Sequence, residues 1–382
     1  MLIRAIESQV EKFFKASKYR LLFIWGPRRS GKTTLLEKLS RQYKTPVFNF
    51  DLLSDREKFQ PRQEILDKLV AEHRVILIDE VQNAPEATVV LKILADNYKV
   101  KIIATGSSEL RQKAGVDWDS LADRFEEAYC LPLSTAEIVN NAGLKKYELV
   151  GFSQNLSERL QLFGCYPEIY AGNLSAVGKM AKLERIIDTY VLKDIIEIYD
   201  LKNIKLAKEI LTKIALQLGS EVSLREIASS LQANVATVSN YIEIFIKNYI
   251  LIPLPSFKTN IRRAVSENRK LYFYDLGIRN ALVKDFREMK LRPDSGGVWE
   301  NFIVSELVKQ KLNNGRLLSF YFYREYSGKE VDIVIEDYRK RYVCLEVKKT
   351  KGGANRIFPL KHRLESVTRE NYLSRISSLL KF

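Results

Sequence analysis

The chain is poor in histidine and cysteine. Its 382 residues hold two histidines, His73 and His362, and three cysteines. So few imidazoles argue against histidine-centred acid–base catalysis, and both histidines read as surface or turn residues. Cys130, Cys165 and Cys344 stand far apart without the paired spacing of zinc ligands, which argues against zinc and for a reducing, cytoplasmic setting. No apolar run is long enough to span a bilayer, so no membrane partner is expected. Arg4, Glu7 and Glu11 break the apolar positions at the N-terminus, so no signal peptide is expected either. Lys, Arg, Asp and Glu must therefore supply any acid–base or metal chemistry. Lys and Arg outnumber Asp and Glu by 62 to 47, and the net charge of +15 points to a polyanionic partner, DNA above all. The length is sufficient for two or three domains.

The strongest pattern is an apolar strand, Leu21 to Trp25, running into Gly26-Pro27-Arg28-Arg29-Ser30-Gly31-Lys32-Thr33-Thr34 and then into a helical pattern. This is a complete G-x-x-x-x-G-K-[ST] loop. Its glycines let successive backbone N–H groups turn inward around phosphates, and the helix opening at Lys32 adds the positive end of its dipole. The pattern predicts a nucleoside triphosphate here, with Lys32 on the β- and γ-phosphates and Thr33 on Mg2+. Arg74 to Glu80 is an aliphatic run ending in two carboxylates, as for a parallel strand buried on both faces. Ligands of such sheets lie beyond the carboxyl ends of the strands. Asp79 is thus expected in the Mg2+ shell and Glu80 as the group that polarises the attacking water.

A further strand, Lys101 to Gly106, ends in Ser107 and Ser108. Two roles are open to Thr105, Ser107 and Ser108: sensing the γ-phosphate, or capping the next helix. With a core strand over Thr45 to Asp51, the stretch from Arg20 to Pro132 reads as an α/β doubly wound parallel-sheet domain.

From Ser134 to Leu218 the apolar spacing turns helical, with Leu183, Ile186, Ile187, Tyr190 and Val191 on one face. Within it, Phe163 to Glu168 is a punctuated loop whose aromatics either contact a substrate or pack. Ser223 and Glu226 open a helix as a capping box, a turn falls near Gln232 to Asn234, and a second amphipathic helix follows. That is a helix-turn-helix, and Tyr249 to Leu254 reads as the first strand of a wing. Thr237, Ser239 and Asn240 face outward on the second helix, which carries no arginine or lysine there; Lys258, Arg262 and Arg263 suit phosphates better.

Beyond Lys270 the sequence reads as a strand from Leu271 to Gly277, an amphipathic helix from Trp299 to Val308, and three strands at Phe320–Arg324, Glu330–Ile335 and Tyr342–Lys348. Strand alternation sets Glu346 and Lys348 on one face. Asp332 precedes them in a hairpin, and Glu300 lies on a helix able to cover that face. Glu-x-Lys alone is common on exposed strands. With Asp332 and Glu300 in this order it predicts a magnesium site held by Asp332 and Glu346, with Lys348 positioning or deprotonating a water.

Taken together, Gly26 to Thr34, Ile78 to Gln82, Thr105 to Ser108, Leu131 to Ser134, Gly164 to Glu168, Tyr272 to Gly277 and the set Glu300, Asp332, Glu346 and Lys348 carry a resemblance. The chain resembles a family of prokaryotic P-loop ATPases in which an AAA-type core is joined to a winged helix and a C-terminal PD-(D/E)XK nuclease-like domain of restriction-endonuclease fold. The resemblance implies ATP hydrolysis with Mg2+, Ser107 near the nucleotide, and Arg124 as a sensor or finger, in cis or from a neighbour in a homo-oligomer. It implies segments 1–135 for the ATPase core, 136–218 for a helical lid or connector, 219–264 for the winged helix and 265–382 for the nuclease-like domain with a basic tail. Two departures stand out. Asp123 is placed to pair with Arg124 where the family has glycine, and the tail after Lys349 shows no clear strand, which leaves cleavage open beside a purely regulatory or DNA-binding role.

Overall fold

The computed structural model describes residues 2–84, 87–106, 121, 123–145, 147–194, 201, 203–258, 269–325, 327–348 and 357–380. The chain divides into two compact units, Met1–Leu131 and Pro132–Phe382.

Unit 1 follows the order α1 (Ala5–Ala16), β1 (Leu21–Trp25), α2 (Lys32–Tyr43), β2 (Val47–Asn49), a short α3 (Leu53–Arg56), α4 (Gln63–Glu72), β3 (Val75–Asp79), α5 (Ala87–Asn97), β4 (Lys101–Gly106) and β5 (Phe125–Tyr129). The five strands form one sheet in the order β2-β3-β4-β1-β5. Every pair is parallel. All residues of β1 and β3 are buried, as their unbroken aliphatic character requires for strands covered on both faces. Ile6, Val10 and Phe13, spaced by one helical turn on α1, join Leu35, Leu36 and Leu39 of α2 against Leu22, Ile24 and Leu77. This packing holds the carboxyl ends of β1, β3 and β4 side by side.

Unit 2 opens with α6 (Thr135–Ala142), α7 (Leu149–Phe163), a short α8 (Pro167–Tyr170) and α9 (Ala176–Ile186), which passes into a π-helical stretch over Ile187–Asp194. Next come α10 (Ile204–Leu216), α11 (Leu224–Ser230) and α12 (Val235–Lys247). Ser223 caps α11 by accepting from Glu226 N at 3.2 Å. Asn234 caps α12 by accepting from Ala236 N at 2.8 Å. The turn between them contains Gln232 in the left-handed region at φ 51°. Tyr190, Ile210, Ile227, Val238, Ile242 and Phe245 share one core with both helices.

β6 (Leu251–Pro255) pairs antiparallel with β7 (Arg269–Phe273), Leu251 opposite Phe273. The sequence reading put the second of these strands in the C-terminal domain, so the expected boundary between residues 264 and 265 falls between two paired strands. Residues 259–268 of the connection, with Arg262 and Arg263, lie outside the described residues.

α13 (Leu276–Val283) and α14 (Ser295–Asn313) lead to β8 (Leu318–Arg324), β9 (Glu330–Asp337), β10 (Tyr342–Val347), β11 (His362–Val367) and α15 (Tyr372–Leu379). The second sheet has the order β11-β10-β9-β8. β10 pairs parallel with β11 and antiparallel with β9. β9 in turn pairs antiparallel with β8. Two expectations are corrected here. The tail does supply a strand: β11 is an edge strand of mixed His-Arg-Leu-Glu-Ser-Val character, too polar to stand out by hydrophobicity. α14 is not amphipathic; Trp299, Asn301, Ile303, Ser305 and Lys309 are all buried, so neighbours cover it on every side.

The motif Gly164 to Glu168 serves packing. Tyr166 is buried in the helical core. The Asp275 carboxylate accepts from Cys165 N at 2.6 Å and from Ile278 N at 3.1 Å, joining this loop to the start of α13. Gly164 has φ 74°, and a Cβ there would come within 2.0 Å of Asp275, so only glycine allows the approach. Lys309 and Glu306 complete this buried cluster: the ammonium donates to Cys165 Sγ at 2.9 Å, and Glu306 accepts from Thr135 N at 2.8 Å.

Candidate phosphate loop and acidic cluster

The loop between β1 and α2 is shaped by two left-handed residues, Arg29 at φ 63° and Gly31 at φ 103°. Gly26 passes so close to the chain after β5 that a Cβ there would lie 2.0 Å from Cys130 O. Ser30 Oγ donates to Pro27 O at 2.8 Å and closes the turn. Lys32 is buried at the start of α2, and its ammonium donates to Gly26 O at 2.8 Å and Pro27 O at 2.9 Å. Burial pushes its pKa below the ordinary lysine value, while the nearby Glu80 pulls the other way. Pro27 and Ser30 are buried, Arg28 and Gly31 half-buried, and Arg29, Thr33 and Thr34 exposed.

Asp79, the last residue of β3, is only 4 % exposed. It accepts from Thr33 Oγ1 at 2.7 Å and from the Thr105 hydroxyl at the end of β4. The two residues expected at Mg2+ are therefore joined directly, with a second hydroxyl, that of Thr105, behind them. The Thr105 hydroxyl thereby braces Asp79. Glu80 follows in the left-handed region at φ 53° and accepts from Gln82 Nε2, whose own residue is fully buried. A left-handed glutamate is uncommon, and the turn aims its carboxylate independently of the strand.

Ser107 and Ser108 lie outside the described residues. Arg124 pairs with Asp96 of α5 at 2.7 Å. Asp123, beside it in sequence, sits in a left-handed turn at φ 62°. Sequence reasoning missed Arg4. From the N-cap of α1 its guanidinium donates to Ser30 O at 2.7 Å and Leu131 O at 2.6 Å. No spacing rule in the sequence signals that contact.

In unit 2 the carboxylates of Glu300, Glu330 and Asp332 gather within 4.8 Å of one another. Glu346 was expected in this group, but Glu330 takes the place, on the same face of β9 as Asp332 by strand alternation. That signal was present in Glu330-Val331-Asp332. Glu346 is itself buried, close enough for its charge to act on Asp332, and the Lys348 ammonium is 3.8 Å from it. The centre is held by a residue nothing in the sequence marked, Lys270 of β7. It is 1 % exposed, lies 3.1 Å from Glu300 and forms an ion pair with Glu330. Burial alone would lower its pKa; Glu300 and Glu330 outweigh that and hold it charged. Tyr272 donates to Glu300 at 2.5 Å, and Arg324 bridges Glu330 at 2.6 Å. Asp332 accepts from Val347 N at 2.6 Å. Its pKa is pushed up to about 7 by burial first and then by the charge of Glu300.

Comparison with known proteins bears on the class of unit 1. Residues 18–139 match the family model described as an AAA domain, which supports an AAA-type ATPase in unit 1. Residues 154–289 and 295–371 match two models described as domains of unknown function. Two uncharacterized proteins of Methanocaldococcus jannaschii are 24% and 25% identical, over 72% and 87% of this chain. The chain spans 65% of the length of the first and 76% of the second. Among solved structures, a Walker-type ATPase of Pyrococcus abyssi is similar at 16% identity and TM-score 0.46, over 73% of this chain and 94% of that one. No helix among the described residues is long and apolar enough to cross a membrane.

Proposed function

We propose that unit 1 binds ATP with Mg2+ and hydrolyses it, and that unit 2 couples the nucleotide state to DNA. The observation that carries the first part is the junction of Thr33 and Asp79 beside a buried Lys32, at the mouth of a loop shaped by left-handed turns. A hydroxyl and a carboxylate are hard oxygen donors and fit Mg2+, which would neutralise charge developing on the phosphates. Lys32 leaves its two backbone carbonyls to meet the phosphate oxygens, and the loop N–H groups hold the β-phosphate. Glu80 receives a proton from the water as the water oxygen bonds to the γ-phosphorus and the bond to the ADP oxygen breaks.

The second part rests on the excess of positive charge and on the helix pair α11 and α12 followed by the antiparallel β6–β7 pair, which we read as a winged helix. Thr237 and Asn240 are exposed on α12, and Lys258 follows shortly after β6. For the nuclease-like region we favour the non-cleaving reading. Lys270 already supplies the cation that Glu300, Glu330 and Asp332 call for, which supports a region that binds or signals without cutting. The test is ATP hydrolysis with and without duplex DNA over a salt series. Coupling predicts stimulation that fades as salt rises. Turnover indifferent to DNA at every salt would contradict it, as would Mg2+-dependent cleavage of that DNA for the non-cleaving reading.

A further inference from the structure

We infer that Arg4 is a positioning residue for the phosphate loop, a strut that fixes the outward side of the Ser30–Gly31 turn; this rests on the ATPase reading of unit 1. A loop that aims its N–H groups at phosphates must turn its carbonyls outward, and each buried carbonyl there needs a donor. Ser30 O is the critical one. It belongs to the peptide that enters Gly31, the left-handed residue from which α2 starts. Arg4 Nη1 supplies the donor at 2.7 Å and lies so near Gly31 that a Cβ on the glycine would be 3.2 Å from it. Cys130 Sγ lies 3.5 Å from the same carbonyl.

The other arm of the fork, Nη2, donates to Leu131 O at 2.6 Å. Leu131 is the last residue of unit 1. One planar guanidinium thus ties the phosphate loop to the chain segment leaving β5, a two-carbonyl geometry that a lysine cannot reproduce. The strut is itself held at its base. Arg4 N donates to Glu7 Oε1 at 3.1 Å, Lys38 of α2 pairs with Glu7 at 2.5 Å, and Ile6, Val10 and Phe13 bury α1 on the sheet. Movement of the loop when nucleotide arrives or leaves is thereby resisted by α1 and felt at Leu131.

The test compares wild type, Arg4→Met and Arg4→Lys by steady-state ATP hydrolysis, thermal melting without nucleotide, and amide hydrogen exchange at Gly31 to Thr33. A strut predicts a KM for ATP raised about tenfold in Arg4→Met, with a smaller change in kcat and partial recovery in Arg4→Lys. It also predicts faster exchange at those amides and a modest drop in the melting temperature of the nucleotide-free protein, because Ser30 O and Leu131 O lose their donor. Unchanged KM and unchanged exchange would overturn it. If Arg4→Met fails to fold, Arg4→Lys alone carries the test, and wild-type values there would overturn the inference. If the wild type neither binds nor hydrolyses ATP, the ATPase reading falls, while the exchange comparison still decides whether Arg4 holds the loop.

Discussion

Both candidate sites bring a lysine and carboxylates together, and they use the pair in opposite ways. In unit 1 the ammonium of Lys32 rests on two backbone carbonyls, while Asp79 is occupied by hydroxyls of Thr33 and Thr105. Lysine and acid are near but not paired, so each remains available to a charged ligand. In unit 2 Lys270 is paired directly with Glu300 and Glu330, buried and held charged by them. A site for an incoming metal–phosphate complex keeps its charges poised against weak partners, whereas a self-neutralised cluster spends them on each other. The same residue types therefore give a ligand site in one place and a fastening in the other.

This contrast can be broken at several points. Lys32→Ala removes the ammonium that meets the phosphates, and ATP turnover should fall by about 10²–10³ in a steady-state assay with melting nearly unchanged. Lys270→Met should do the reverse. It leaves buried carboxylates without their counter-charge and should cost about 3 kcal/mol in chemical denaturation, with no direct effect on hydrolysis by unit 1. A variant as stable as wild type would sink the idea that Lys270 neutralises the cluster.

Asp332 gives a pH signature. Its folded-state pKa of about 7 lies above the ordinary aspartate value, so the folded protein holds the extra proton. The resulting stability is fully present below about pH 4 and is lost as pH rises towards 7. The loss should be on the order of 4 kcal/mol and should flatten in Asp332→Asn, measured by denaturation at several pH values. Lys348→Ala gives the smallest effect. Its ammonium is 3.8 Å from Glu346 and partly solvated, so stability should change by less than about 1 kcal/mol.

Much of unit 1 was legible because its signals are local. Buried strands read as aliphatic runs, and the loop and the acids that end β3 stand in short stretches of sequence. What was not legible depends on distant partners: Arg4 on Ser30, Thr105 on Asp79, Asp96 on Arg124. In unit 2 the helix pair was readable from its caps and spacing. The role of Lys270 was not, because it depends on β7 pairing with β6 and facing β9, and no local pattern encodes that. β11 escaped notice for a related reason: an edge strand joined by parallel pairing needs little hydrophobicity of its own.

The most direct test of the central claim is ATP binding and single-turnover hydrolysis by wild type and Glu80→Gln side by side. The account predicts that the variant binds ATP with near wild-type affinity and loses hydrolysis by about 10² or more. Hydrolysis at the wild-type rate in Glu80→Gln would contradict it.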